Sequence, residues 1–334
     1  MGKAWQGIAT AVLAAGEAAR EIRLDDGPTV SESLSGTELE RLLAEPPSRV
    51  RRLVPHFPAV YARLAAVGPV EAVVANTVVD HAVTGQLGGM RVTPRAGTAV
   101  VTTGIDLHLF FNALVHGFAV VDPAHATSLR FLDEHGERLH TVYATAETDM
   151  EAWYDLIAEC AADEQRPLLE PPLANGTAAH PLDGCQRPRR QWPRGRLESV
   201  LRRPRAQAKA LDEQALERLF QVLADRGLPV NVLAGNAGAV QGFRGTVRWL
   251  HSSDRVFRVV DQGRHVTVRP AALAGVALVW RGSGARAVRT VEARDAMGAA
   301  VLSAGAPDDL VGWEADAWSL ILDSLEDEAV GDGA

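Results

Sequence analysis

The chemistry this sequence could carry gathers first around Asp106 and His108. Ile105, Leu107 and Leu109 alternate with them, so a period-two reading turns the aliphatics to one strand face and the carboxylate and imidazole to the other. An imidazole placed this way is a candidate ligand, and equally an ordinary half-exposed strand residue. A second group, His135 and His140 with Asp133, Glu134 and Glu137, has the residue types of a metal site, but a polar hairpin turn explains the same letters. A third is the run Arg187, Arg189, Arg190, Arg194, Arg196, Arg202 and Arg203. It reads as a polyanion site, as a set of carboxylate clamps, or as a solvated linker. The sequence has no nucleotide-binding glycine loop, no Gly-x-Ser-x-Gly elbow and no His-Glu-x-x-His, which removes the commonest NTPase and hydrolase readings.

The elements that must position these residues can be read from periodicity. Helices are expected at 35–43, started by Ser35 or Thr37, and at 58–67, ended by Gly68-Pro69. Short strands are expected at 70–75, 78–83, 89–93 and 98–103, with gaps that suit antiparallel hairpins better than crossovers. Two strands cover the central stretch. A hairpin of 127–132 with 138–143 comes next, and a helix from Asp149 to Cys160 presents Trp153, Leu156 and Ile157 for packing. Between 165 and 204 prolines and arginines replace the apolar pattern, as in a linker. Asp212 then caps a new helix, with Leu211 and Leu216 as a staple and Gly227 as its end.

The chain on the far side of the linker repeats the pattern of the chain before it. Leu64 to Gly68 resembles Leu223 to Gly227, Asn76 answers to Asn236, Gly117 to Val121 answers to Gly275 to Val279, and Ala152-Trp153 answers to Ala317-Trp318. A period near 160 residues marks a duplicated domain and excludes a solenoid. The expected fold is α+β: two tandem similar repeats, each an antiparallel sheet covered by helices. Its parts are an N-terminal helical segment (1–52), repeat 1 (53–163), a Pro/Arg-rich linker (164–210) and repeat 2 (211–334). At 334 residues each repeat can hold its own core.

Net charge is −8, which argues against a general nucleic-acid binder, since phosphate neutralisation dominates that affinity. Cys160 and Cys185, the two cysteines, have no metal or redox spacing and suit a reducing cytoplasm. Met1 to Leu13 reads as an amphipathic helix with Trp5, Ile8 and Val12 on one face, not as a signal peptide. No apolar run reaches the length of a membrane span.

Ile105-Asp106-Leu107-His108-Leu109-Phe110 followed by Gly117-Phe118-Ala119-Val120 resembles the hemin-degrading and haem-trafficking proteins of bacterial iron acquisition, which carry Ile-Asp-Leu-Arg-Leu-Phe at the first motif. Asn76, the strand ending in Val101, Ser128 to Asp133 with Gly136, and Gly235-Asn236 with Gly238, Val240 and Gln241 extend the resemblance. It implies a haem-binding protein that degrades or traffics hemin, with a reductase or a haem transporter as partners. The alternative is a diverged, non-catalytic relative that binds another ligand or a protein.

The resemblance also assigns site residues. The family's axial histidine sits on a helix between the repeats, and the counterpart here, Trp192 to Leu201, has none; Arg194 or a neighbour takes that place. The family's haem-facing arginine is His108 here, which makes His108 the candidate iron ligand, with His180 of the linker as the alternative. Thr267 stands where the second repeat's common histidine would be, and Arg248 and Arg269 fall on basic positions suited to propionates. Phe110, Phe111, Trp249 and Phe257 are the candidate pocket aromatics.

Overall fold

Thr37 caps the first helix, α1 (Glu38–Ala44). Its hydroxyl accepts from the Glu40 N–H at 3.2 Å while the Glu40 carboxylate accepts from the Thr37 N–H at 2.7 Å, the reciprocal box that a Thr-x-x-Glu spacing encodes. α2 (Phe57–Leu64) starts on Pro58 and buries Phe57, Val60, Tyr61 and Leu64. α3 (Met150–Cys160) is capped by Asp149, which accepts from Glu151 and Ala152 at 3.0 and 3.1 Å, and it buries Trp153, Leu156 and Ile157 as expected.

This computed structural model describes residues 37–93, 97–101, 103–122, 126–163, 165, 197–201, 205–282 and 287–331. The expected N-terminal helix, His180, Cys185 and the whole arginine run, Arg194 included, lie outside the described residues. The strands of the first repeat are β1 (Val50–Arg52), β2 (Val70–Ala75), β3 (Val79–Gly85), β4 (Leu87–Gly88), β5 (Arg91–Thr93), β6 (Thr98–Val101), β7 (Thr103–Gly104), β8 (Asp106–Phe110), β9 (His116–Asp122), β10 (Ala126–Leu132) and β11 (Arg138–Ala144). The second part runs α4 (Leu197–Val200), β12 (Arg205–Leu211), α5 (Ala215–Arg226), β13 (Pro229–Gly235), β14 (Ala239–Thr246), β15 (Trp249–Ser252), β16 (Phe257–Asp261), β17 (Arg264–Val268), β18 (Gly275–Arg281), β19 (Val288–Arg294), β20 (Ala300–Gly305) and α6 (Trp313–Gly331).

The chain divides into two units, and the division does not coincide with the repeats: residues 74–83 of the first repeat belong to unit 2. In unit 1, β1, β9, β10 and β11 pair antiparallel in that order with β2 beside β11. β8, β6 and β5 form a second group. In unit 2 the order β12, β18, β19, β20, β13 repeats that of unit 1 and continues to β14, while β3 pairs with β17, β17 with β16 and β16 with β15. The fold is thus α+β and duplicated.

The duplication is most exact in the turns around two asparagines of unit 2. Asn76 Nδ2 donates to the Gly235 carbonyl at 3.0 Å, and Asn236 Nδ2 donates to the Ala75 carbonyl at 2.7 Å. Each side-chain oxygen accepts two backbone N–H groups, from Val78 and Val79 at 2.9 and 2.7 Å and from Gly238 and Ala239 at 2.9 and 3.0 Å. Five residues further on, the Gln241 amide donates to the His81 carbonyl at 3.0 Å and His81 Nδ1 lies 3.2 Å from the Gln241 carbonyl. The closing helices match as well. Both indoles are buried and donate, Trp153 to Thr127 Oγ1 at 3.2 Å and Trp318 to the Pro229 carbonyl at 2.9 Å.

Three local expectations are corrected. Asp212 does not cap α5: the cap position is Gln214, and Asp212 accepts from the Gln214 N–H at 2.9 Å and grips Arg218. Arg205–Leu211 is a strand, not linker, because its backbone pairs with β18 some seventy residues away. The glycine match Gly117/Gly275 is one residue out of register. Gly117 pairs with Phe131 and Val276 with Ala293, on strands whose turns coincide at Asp133 and Asp295, so Gly117 answers to Val276.

Candidate functional site

On β8 the alternation holds. Ile105, Leu107 and Leu109 are fully buried, and Asp106 and His108 share the other face with His108 Nε2 3.8 Å from Asp106 Oδ1. The His108 side chain is 20 % exposed and that of Asp106 59 %, so the imidazole is sheltered and its carboxylate neighbour lies in solvent. In unit 2 the corresponding strand, β17, presents Thr267, whose hydroxyl accepts from Arg258 Nε at 3.1 Å on the rung it shares with Asp80.

The two arginines assigned to propionates are both engaged by acids. Arg248 Nε lies 3.1 Å from Asp261 Oδ1, while Arg269 meets Asp80 and reaches the Asn76 carbonyl at 3.5 Å. They stand at opposite ends of the β16/β17 hairpin, Arg248 beside the rung of Asp261 and Arg264 and Arg269 just past the rung of Phe257 and Val268. The structure therefore does not bring them together. Phe257 is a core residue packed on Phe220, Phe111 lies against Tyr61, Phe110 is buried, and Trp249 is 62 % exposed.

His135 and His140 also part. His135 is exposed in a turn that Asp133 holds by accepting from the His135 and Glu137 N–H groups at 2.9 Å each. His140 is fully buried, lies 2.7 Å from Tyr61 Oη and packs against the Tyr61 and Phe131 rings, which in turn meet Phe111 and Phe57. Burial pushes His140 down to about 3 and raises Tyr61 well above its ordinary value, so both are neutral. His81 is driven to about 3, again mainly by burial. Among the described residues no three His, Cys, Asp or Glu side chains are grouped to hold a metal ion.

A concave site exists elsewhere, in unit 2. Strand register puts Asn231 and Leu233 of β13, Thr290 of β19, and Ser303 and Gly305 of β20 on one sheet face, beside Arg281 at the end of β18. The residues that β20 gives to this lining, Ser303 and Gly305, are small, so the face is hollow. Val200 and Leu201, in and just after α4, close one side and leave a cavity of about 320 Å³, at the small end of the roughly 300–1,000 Å³ usual for ligand pockets. Among the described lining residues Arg281 alone is basic, Asp308 alone is acidic, and no histidine, cysteine, methionine or tyrosine is present. Arg281 is tied to the fully buried Glu292. None of these cavity residues was singled out from the sequence. The available signal was an arginine and a glutamate set in otherwise apolar strand runs, Val276 to Arg281 and Val291 to Ala293.

The model of the haemin-degrading HemS.ChuX domain matches this chain twice, over residues 36–160 and 195–325, well over half of its length. The chain belongs to that family. The first HemS.ChuX match contains His108, and the second contains the whole cavity. The hemin transport protein HmuS of Yersinia pestis is 27 % identical over 231 residues, covering 64 % of this chain and 67 % of the relative. Two solved structures share the fold. The haem-binding protein PhuS of Pseudomonas aeruginosa superposes with a TM-score of 0.73 at 23 % identity, covering 94 % of this chain and 99 % of PhuS. The Escherichia coli haem oxygenase ChuS superposes with a TM-score of 0.70 at 20 % identity, covering 95 % and 99 %.

Proposed function

We propose that this HemS.ChuX family member binds haemin in the cavity of unit 2 and serves its trafficking or degradation in iron use. The observation that carries this reading is the wall formed by Val200 and Leu201. They belong to the segment between the repeats, Trp192 to Leu201, which by resemblance is the one that faces haem in this family. The aliphatic walls of the cavity and the small residues over the sheet suit an apolar macrocycle edge. The described lining supplies no ligand to iron. His108, in unit 1, is a separate proposal for an iron ligand, because a neutral imidazole binds iron and the arginine usual at this position does not, with His180 as the alternative. Arg248 and Arg269 remain candidates for the propionates, and Arg194, at the place of the family's axial histidine, for contact with the haem.

Transport by HmuS and oxygenase activity of ChuS mark the two uses open to bound haemin, and a haem transporter or a reductase is the partner each would need. A reducing cytoplasm suits a chain whose described cysteine, Cys160, is buried and unpaired. Among the described residues no helix is long and apolar enough to cross a membrane. A second reading, a diverged relative that takes another ligand, draws on the absence of any imidazole from the described cavity lining. Titration of the full chain with micromolar haemin separates the two: a Soret shift saturating near one equivalent supports haemin binding, and an unchanged spectrum in a folded sample refutes it. Adding reductant under oxygen then distinguishes turnover, seen as loss of the Soret band, from carriage.

A further inference from the structure

A second group of side chains gathers in unit 2, on the outer face of the ladder β3, β17, β16 and β15. Strand register sets Ala82, His265, Val260 and Trp249 on one rung and Asp80, Thr267, Arg258 and His251 on the next, all on one face. Val259 and Val266, which alternate with them, are buried in the core, so this face looks outward. Trp249 is exposed, while the His265 imidazole is half-buried and makes no hydrogen bond or ion pair among the described residues. Burial, and then the Arg258 charge, push His265 down to about 4, so at neutral pH it is uncharged and keeps a lone pair on one ring nitrogen. His81, on the core side of the same ladder, has its Nδ1 3.2 Å from the Gln241 carbonyl. Strand spacing puts Val260 about 5 Å and Trp249 about 10 Å from His265, with Arg258 about 8 Å away on the diagonal. A flat ligand centred on His265 therefore lies over Val260 and ends against the indole. Its acid groups reach the rung of Arg258, where the one acid, Asp80, is already met by Arg269.

We propose that this sheet face of unit 2 is a second haemin site, with the His265 imidazole as iron ligand, Val260 under the macrocycle and Trp249 at its rim. This rests on the haemin reading and adds a site to the one in the cavity. An open face encloses less of a ligand than a cavity does, so it fills second.

The test is a haemin titration of the full chain past two equivalents, followed by the Soret band. The wild type should bind a first equivalent and then a weaker second one, each with a shifted band. His265→Gln should keep the first step and lose the second shift. Protoporphyrin IX, which has no iron, separates ligation from adsorption: followed by fluorescence, its second step in the wild type should be about tenfold weaker than that of haemin, and His265→Gln should bring the two together. Where His265→Gln does not fold, Trp249→Ala, at an exposed position, carries the test and should weaken the second step about tenfold with the first unchanged. The proposal is overturned by a wild type that saturates at one equivalent, by a second equivalent with the spectrum of free haemin, or by a second step unmoved in folded His265→Gln or in Trp249→Ala. Absence of both steps would overturn the haemin reading itself.

Discussion

Replacing His140 by leucine should uncouple part of the protein's stability from pH. Leucine is the second repeat's own solution, since Leu302 pairs with Ala293 as His140 pairs with Phe131. Burial holds native His140 near 3, against an ordinary value of 6.5 that it regains on unfolding. Between those limits the unfolded chain binds the extra proton, so stability is complete above about pH 6.5 and falls as pH falls toward 3. Each pH unit in that window is worth about 1.4 kcal/mol, hence about 2 kcal/mol between pH 6.5 and 5. His81 contributes a similar amount by the same sign. Together they remove about 4 kcal/mol, a large part of the roughly 5–15 kcal/mol typical of a folded domain. His140→Leu alone strips Tyr61 Oη of its 2.7 Å partner and should cost about 1–3 kcal/mol at pH 7.5. Adding Tyr61→Phe should recover most of that. Urea unfolding monitored by tryptophan fluorescence from pH 5 to 8 gives the slope of stability against pH. In the double variant this slope should fall by about one proton over pH 5 to 6; an unaltered slope would mean that His140 titrates in the native state, against its burial.

His108→Ala should abolish or shift the Soret band of the haemin complex while His180→Ala leaves it in place; the reverse pattern transfers the ligand to the linker, and no change in either removes both assignments. Asn76→Ala and Asn236→Ala should each lower stability by about 2–4 kcal/mol, since each frees two backbone N–H groups and at least one carbonyl, and widely unequal urea midpoints would count against their equivalence. Glu38→Gln should speed amide exchange across α1 about tenfold, because the carboxylate pins that helix to Arg130 at 2.6 Å. Burial pushes the Glu38 carboxyl up, but Arg130, Arg138 and Arg41 bring it below its ordinary value, so the same loosening should appear in the wild type on acidification through the carboxylate range.

The features legible in the sequence were local ones. The helix start at Thr37, the helix opening at Asp149, the helix end at Gly227 with φ 62° and the alternation from Ile105 to Leu109 are each decided within a few residues of chain. The duplication was legible too, through Asn76 and Asn236, because a side chain that closes its own turn and the facing one tolerates few substitutes. Features that depend on distant pairing were not legible. β12 is an alanine-rich stretch, Arg205 to Leu211, that becomes a strand only against β18. The glycine match misled because the two glycines do different work. A Cβ on Gly117 would stand 2.6 Å from the Phe57 ring, whereas one on Gly275 would meet nothing within 4 Å. The cavity was invisible for a related reason. It is made by what Ser303, Gly305 and Ala306 lack, and small residues in a strand carry no signal of their own.

The repeats also show how one sheet came to serve two ends. Arg130 of β10 and Glu292 of β19 are equivalent rungs, three residues before the matching turn aspartates Asp133 and Asp295. Each carries half of a sheltered ion pair, with the charges reversed. In unit 1 the acid comes from a helix, Glu38 of α1, so the pair fastens α1 to the sheet, where Leu42 packs on Val50, Phe118, Val120 and Leu132. In unit 2 both partners of the Arg281–Glu292 pair come from the sheet. α4, a single turn, touches β20 and β13 and borders the hollow. Duplication preserved the ladder, where a slipped register would turn every side chain to the wrong face. The outer face bears no such constraint, so equivalent rungs can carry opposite charges: in one copy the carboxylate comes from a helix over a closed core, in the other from a strand beside a cavity.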